Sequence, residues 1–139
     1  MFTPINMRSV NTYKSVAVET AVTTADPHQL VNLLFDALMQ SLYTAKSAMQ
    51  AGNFVVKAQS ITKAVRIIEE GLKAGLDMQR GGEVALTLKS LYDYSIYRLT
   101  EANLHNDPAL LQEVTSALAP VAESWKQIRD QVVNPKRSA

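Results

Sequence analysis

The chain has 139 residues, no cysteine and a formal net charge of +1, and 47% of its residues are hydrophobic. This length suits one domain with its own core, and the lack of cysteine excludes disulfides, thiolate nucleophiles and cysteine-ligated metals. The charge provides no basic patch for nucleic acid, and the sequence shows neither a signal-peptide pattern nor an apolar run of about 18 residues, so we expect a cytoplasmic protein without membrane insertion.

Residues 1–26 form the first predicted segment, an N-terminal arm rather than a domain. Pro4 and the β-branched residues between Val16 and Thr24 disfavour a long helix. Apolar side chains spaced along this segment, including Ile5 and Tyr13, are suited to docking in a groove.

The first long helix is predicted to begin at Asp26 and Pro27. Asp is a common N-cap, Pro suits the first helical position, and Gln29 stands three residues after the cap, as in a capping box. The helical apolar period then continues to Gly52-Asn53, where Asn53 can cap a second helix.

The second and third helices are predicted on either side of Gly81-Gly82. Gly71 and Gly75 lie inside the second pattern, where glycine disfavours the helix but lets a neighbouring helix approach closely. The two core stripes are Phe54, Ala58, Ile61, Val65, Ile68, Leu72 and Leu76, then Val84, Leu88, Leu91, Ser95, Leu99 and Ala102.

A last helix is predicted from Asp107-Pro108 onward, with apolar residues alternately three and four positions apart. Pro120 interrupts this pattern, so we expect a kink there or two shorter helices. Because the connections between the four segments are short, we expect consecutive helices to pack side by side in antiparallel directions. The predicted fold is therefore an all-α, antiparallel up-down four-helix bundle over residues 27–133, with a polar C-terminal tail at residues 134–139.

The helices carry more apolar rows than the core of such a bundle requires. Beside the first helix's main stripe, Val31, Phe35 and Met39 form a further row. The other extra rows are Val56, Ile67, Ala74 and Met78 on the second helical stretch, and Leu86, Tyr97 and Leu104 on the third. These rows predict a surface that binds a partner. A kinked bundle, the folded-back arm or a homodimer would bury the same rows.

Catalytic and metal sites are poorly supported by the sequence. Glu101 and His105 share a helix face, but the only other histidine is His28, and a surface pair explains them better than a metal site. Asp93, between two tyrosines, is better explained by packing or partner contact than by acid–base catalysis. Gly81-Gly82 lacks the strand and the spacing of a phosphate-binding loop. We therefore expect no enzymatic activity, no metal and no cofactor.

The ordered set of short motifs resembles the FliS family of flagellar secretion chaperones from about Tyr13 to Ile128. The motifs are Tyr13, 24–30 (TADPHQL), 34–36 (LFD), 63–64 (KA), 67–68 (II), 71–77 (GLKAGLD), 81–83 (GGE), 91–94 (LYDY), 98–99 (RL), 102–104 (ANL), 106–107 (ND), 113–114 (EV) and 125–128 (WKQI). Pro120 departs from the uninterrupted last helix that the resemblance leads us to expect.

The resemblance implies a helical chaperone without enzymatic activity. Such a chaperone binds the disordered C-terminal region of flagellin in the cytoplasm, prevents premature polymerisation and delivers flagellin to the flagellar type III export apparatus. The client segment wraps around the bundle in hydrophobic grooves, and the arm near Tyr13 covers part of that surface when the client is absent.

The extra apolar rows supply the residues that we expect in the flagellin groove: Phe35, Met39, Val56, Ile67, Met78, Tyr97 and Leu104. Ile5 and Tyr13 are the expected arm contacts. The alternative is a helical adaptor or self-associating structural bundle without a secretion client, whose rows close in a homodimer.

Overall fold

The computed structural model describes residues 26–133, with side chains described for residues 26–128. Within this range the α-helices are α1 (Pro27–Gln50), α2 (Phe54–Arg66), α3 (Met78–His105) and α4 (Pro108–Val133). A π-helical segment, Ile67–Lys73, continues α2 and is called the π segment below. The predicted all-α, four-helix fold is confirmed. The predicted arm (apart from Asp26) and the predicted tail lie outside the described residues.

The first two helix starts are formed by the predicted caps. The Asp26 carboxylate accepts a hydrogen bond of 2.7 Å from the Gln29 backbone amide, and Pro27 occupies the first turn. The Asn53 side chain accepts one of 3.2 Å from the Val56 amide. Both caps satisfy an amide that has no partner within its own helix.

Helix α3 begins earlier than predicted, because Asp77 provides a cap that the sequence analysis did not identify. Its carboxylate accepts hydrogen bonds from the Gln79 and Arg80 amides. The expected break is nevertheless present, since Gly82 has φ +53° and ψ −130° inside α3. Glycine adopts a positive φ without the steric penalty that a Cβ would bring. The break therefore interrupts α3 instead of preceding it.

Helix α4 continues through Pro120 from Pro108 to Val133, so it does not divide into two shorter helices. Proline has no backbone N–H, and the carbonyl of Ser116, four residues earlier, therefore receives no hydrogen bond from position 120. This position lies in the half of the helix that borders the grooves described below.

The helices pack around one core in which α1 contacts α2, the π segment and α4, while α3 contacts α4, α2 and the π segment. Gly71 lies so close to α1 that a Cβ there would approach two Leu34 methyl carbons to 3.2 Å. The predicted close approach at Gly71 is thus confirmed. The largest fully buried side chains are Tyr92, Phe35, Leu34, Leu38, Leu42, Ile61, Ile67, Ile68, Leu72, Leu99, Leu111 and Leu118.

Two residues assigned to core stripes are instead exposed, Phe54 by 53% and Val84 by 56%. Phe54 is the first residue of α2, and Val84 follows the interruption at Gly82. Both positions lie near the end of an apolar stripe, where fewer neighbouring side chains are available to cover them. The predicted helical period was correct there, but the inferred burial was wrong.

Two long-range contacts join the ends of the helices. The Trp125 indole Nε1 donates a 2.9 Å hydrogen bond to the His28 carbonyl, and the two rings stack with centroids 4.0 Å apart. At the other end of the bundle, Lys57 is buried and its Nζ donates to the Asn103 carbonyl and Oδ1 at 2.9 and 2.8 Å. Positive charge is stabilised near the C-terminal end of a helix, and the Lys57 ammonium lies at the C-terminal end of α3.

Candidate binding surface

Helix α3 exposes a row of large apolar side chains. Leu86, Tyr97 and Leu104 are 57%, 61% and 74% exposed. They are spaced by about three turns and two turns, which places them on one side of the helix. This is the third-helix row that the sequence analysis identified, and it remains uncovered in the folded chain.

A second apolar feature lies between α3 and α4, and we call it the α3–α4 groove. It has a volume of about 340 Å³ and is lined by Phe35, Val84, Leu88, Tyr92, Pro120, Val121, Ser124, Trp125 and Ile128. Phe35 and Tyr92 are fully buried, whereas Val84 and Ile128 are 56% and 39% exposed. The groove therefore has a buried aromatic floor and an accessible aliphatic rim, as a site for an apolar side chain requires.

A third feature, the α1–α4 groove, lies on the other side of α4 and is more polar. It has a volume of about 570 Å³ and is lined by Asp36, Met39, Gln40, Tyr43, Ala119, Ala122, Glu123 and Lys126. Lys126 Nζ lies 3.4 Å from an Asp36 carboxylate oxygen at this groove. Helix α4 is thus flanked by two grooves over the same stretch, one apolar and one amphipathic.

The seven predicted groove residues occupy three different environments. Tyr97, Leu104 and Met78 are exposed, the last by 42% at the start of α3. Met39 and Val56 are partly buried, and Met39 lines the α1–α4 groove.

Phe35 and Ile67 belong to the buried core instead. Ile67 is fully buried at the first position of the π segment, and Phe35 is 1% exposed on the floor of the α3–α4 groove. The predicted arm contacts, Ile5 and Tyr13, lie outside the described residues.

Asp93 stands in the middle of the exposed α3 row, between Leu86 and Tyr97. Its carboxylate oxygens lie 2.6 Å from Lys73 Nζ and 2.9 Å from Lys89 Nζ. Hydrogen bonds from Lys73, and secondarily from Lys89, lower the pKa of Asp93, and the bond to Asp93 raises the pKa of Lys73. These pairs neutralise the acidic position within the row and join the π segment to α3.

A second charged cluster links α3 to α4. The Arg98 guanidinium donates to Glu113 at 2.6 Å and to Glu101 at 2.8 Å, and the Tyr94 hydroxyl donates to Glu113 at 2.9 Å. The bond from Arg98, followed by the one from Tyr94, lowers the pKa of Glu113, while the bond to Glu113 raises that of Tyr94. Glu101 is therefore part of an ion-pair cluster that joins two helices.

The described part of the chain offers no arrangement suited to metal chemistry or membrane insertion. Between residues 26 and 128 no three histidine, aspartate or glutamate side chains come together as a group that could hold a metal ion. No helix among the described residues is both long and apolar enough to span a bilayer.

Most of the α3–α4 groove was not predicted, because Val84 and Leu88 were assigned to a core stripe. Val121, Trp125 and Ile128 belong to the regular apolar pattern of the last helix, which was not expected to border a groove. Their periodicity correctly places them on the inner sides of α3 and α4. Gly82, which interrupts α3, and Pro120, which removes one backbone hydrogen bond within α4, are the sequence signals that could have indicated incomplete packing there.

Comparison with known proteins extends over nearly the whole chain. The family model described as "Flagellar protein FliS" matches residues 9–132. The chain is 47% identical over 119 residues to the flagellar secretion chaperone FliS of Salmonella typhimurium, a match that covers 86% of this chain and 88% of that protein.

Two further relatives show similar coverage. The flagellar secretion chaperone FliSB of Pseudomonas aeruginosa is 41% identical over 122 residues, or 88% of this chain and 96% of that protein. The flagellar secretion chaperone FliS of Escherichia coli is 38% identical over 120 residues, or 86% and 88%. The region matched by the family model includes residues 9–25 and nearly all of the bundle.

Proposed function

Because the chain belongs to the FliS family of flagellar secretion chaperones, we propose that it binds the disordered C-terminal region of flagellin in the cytoplasm. In this role it prevents premature polymerisation and assists export of flagellin through the flagellar type III secretion apparatus. Membership of the family makes the chain a flagellar export chaperone and not an enzyme. The identity of the client and the mode of binding are the parts that we propose.

The observation that carries the proposal is the exposed apolar row on α3. Three large side chains on one side of a helix, each more than half exposed, form a surface suited to an apolar partner. An amphipathic helix of the client, with anchors three, four and seven residues apart, matches such a row. Met78 continues the apolar surface at the start of the same helix.

The α3–α4 groove supports the same proposal. It lies on the inner side of α3, so that a client segment crossing this helix would meet both features. A disordered segment loses conformational entropy when it is ordered by binding, and wrapping over a large apolar surface offsets that loss. The extended arrangement of row and groove suits a wrapped segment better than a compact folded partner.

The N-terminal arm, residues 1–26, is proposed to compete with flagellin for this surface through Ile5 and Tyr13. A docked arm reduces the fraction of chaperone that is competent to bind, and the apparent affinity for the client is the intrinsic affinity multiplied by that fraction. The arm thereby keeps the apolar surface covered until flagellin displaces it.

Calorimetry with a peptide of the flagellin C-terminal region tests the proposed function. We expect 1:1 binding with a clearly negative heat-capacity change, because apolar surface is buried on both partners. Absence of binding by a chaperone that forms a tight homodimer would contradict the proposal and support the self-associating bundle. Sedimentation analysis of the same samples provides the oligomeric state.

A further inference from the structure

Tyr92 carries the clearest unexplained polar group among the described residues. Its side chain is fully buried on the floor of the α3–α4 groove, and its hydroxyl makes no hydrogen bond with the protein. Buried polar groups are nearly always bonded, and one left unbonded destabilises the fold that contains it. No described residue bonds the hydroxyl that distinguishes this tyrosine from a phenylalanine.

The shorter buried hydroxyls of the same core are satisfied locally. Ser95, one turn after Tyr92 on α3, donates to the Leu91 carbonyl at 2.8 Å, and Ser41 on α1 donates to the Ala37 carbonyl at 2.9 Å. The Tyr92 hydroxyl lies too far from its own helix backbone for such a bond. It therefore needs an acceptor from elsewhere.

The protonation state of the Tyr92 hydroxyl determines which kind of group it can bind. A tyrosine hydroxyl is protonated at neutral pH and can donate, and burial raises the pKa of Tyr92 further above its usual value. A backbone carbonyl or a side-chain oxygen of a bound segment would satisfy it.

Several of the other residues that line the groove are less enclosed than Tyr92. Leu88 and Val121 are only partly buried in the groove. The α4 wall also contains Pro120, where the backbone lacks one intrahelical hydrogen bond, and helices bend most readily at such a point. Because the hydroxyl is buried, a bound segment could reach it only if part of the groove lining moves.

We propose that the Tyr92 hydroxyl is a hydrogen-bond donor reserved for the client, which becomes accessible when a flagellin segment enters the α3–α4 groove and supplies an oxygen acceptor. This inference rests on the proposed function, because it names one polar contact within the same binding surface. The free chaperone keeps the hydroxyl unbonded, and the complex bonds it.

The test compares Tyr92→Phe with Tyr94→Phe, each measured for thermal unfolding and for affinity to the flagellin C-terminal peptide. Tyr92→Phe removes only the unbonded hydroxyl, so we expect the free protein to unfold about 3 °C higher while the affinity falls about tenfold. Tyr94→Phe removes a bonded hydroxyl that lies outside the groove. It should unfold at a slightly lower temperature and bind the peptide as the wild type does.

The other outcomes are distinguishable. An unchanged affinity of Tyr92→Phe, with the wild type binding normally, would overturn the proposed contact and leave the proposed function intact. A fall in both stability and affinity would show that the hydroxyl supports the fold, and would also overturn it. Failure of the wild type to bind the peptide would contradict the proposed function itself.

Discussion

Asp93 shows how one side chain can serve both the fold and the surface. It bridges Lys73 from the π segment and Lys89 from its own helix, in the middle of the exposed α3 row. All three side chains are partly exposed, so each pair contributes little on its own. Their main effect is to hold the π segment against α3 without leaving an unpaired charge beside a client.

The stability that Asp93 contributes should depend on pH. The lysines lower its folded-state pKa below the reference value of 3.8, so the contribution is complete well above that value and is lost as the pH falls through the lowered pKa. We expect Asp93→Asn to lower the unfolding temperature at neutral pH by at most about 3 °C. The difference from wild type should vanish in strong acid. Thermal unfolding followed by circular dichroism between about pH 2 and pH 7 checks this, and a constant difference would contradict it.

An aspartate substitution should weaken flagellin binding at Tyr97 but unfold the protein at Ile67. Tyr97 is 61% exposed, so Tyr97→Asp should leave the helices intact and weaken flagellin binding at least about tenfold. Ile67 is fully buried, and Ile67→Asp places a charge in the core, which should unfold the chain. Circular dichroism and peptide titration of the two variants provide the comparison. Normal binding by folded Tyr97→Asp would remove Tyr97 from the client surface.

At the residue scale, the sequence predicted the caps better than the surface. Asp26 and Asn53 were identified because capping depends on side-chain type within a few residues. Phe35 and Ile67 were assigned to the groove because they lie off the main stripe of their helices. Whether such a residue is covered depends on how neighbouring helices rotate and pack, and local periodicity does not contain that information.

In helix α4 the local sequence disfavours a continuous helix, whereas the packing of its apolar residues favours one. Pro120 disrupts one backbone hydrogen bond, yet the helix continues on both sides of it. The packing of Val114, Leu118 and Trp125, which are all buried, compensates for the lost bond. Helix formation here is determined by the tertiary contacts of the apolar face rather than by local propensity.

Replacing this proline should therefore stabilise the protein. Pro120→Ala restores a donor for the Ser116 carbonyl, and we expect the free energy of unfolding to rise by about 1–3 kcal/mol. Urea unfolding measures the change, and Ala119→Ser, at the neighbouring exposed position, is a control for substitution in the same turn. A decrease for Pro120→Ala would show that packing of the proline ring in the groove outweighs the backbone bond.

The π segment is the element that the sequence did not predict. The apolar period continues without a break from α2, and Gly71 was identified only as a point of close approach. A π-helix is defined by i→i+5 hydrogen bonds, and the segment that adopts it here packs Gly71 against Leu34 and pairs Lys73 with Asp93. Both contacts are made with other helices, and neither is visible in the local pattern.

At the scale of the whole molecule, the four-helix architecture could be predicted because breaks, caps and apolar period all agree. The surplus of apolar rows was also a correct signal for α3, where Leu86, Tyr97 and Leu104 remain exposed. On α1 the same signal was misleading, since Val31 and Phe35 are buried. Counting apolar rows predicts that a surface exists, but the assembled bundle determines which helix presents it.

The proposed arm competition predicts the behaviour of a truncated chain. Deleting residues 1–20 should leave the four helices folded, because the buried side chains of α1–α4 and the π segment form one cluster packed against one another. The affinity for the flagellin peptide should rise by a factor equal to the reciprocal of the fraction of chaperone whose arm is undocked. Circular dichroism and calorimetry on the truncated and full-length chains measure the two effects. Unfolding of the truncated chain would show that the arm belongs to the core.

The most direct measurement of the central claim is a methyl NMR titration with the flagellin C-terminal peptide. If the uncovered apolar surface of α3 binds the client, the methyl resonances of Leu86, Leu104 and Val84 should shift with a 1:1 end point. Those of the buried Leu42 and Leu111, which are fully enclosed in the core, should change little. Binding that leaves Leu86, Leu104 and Val84 unperturbed would contradict the account, because the client would then occupy a different surface.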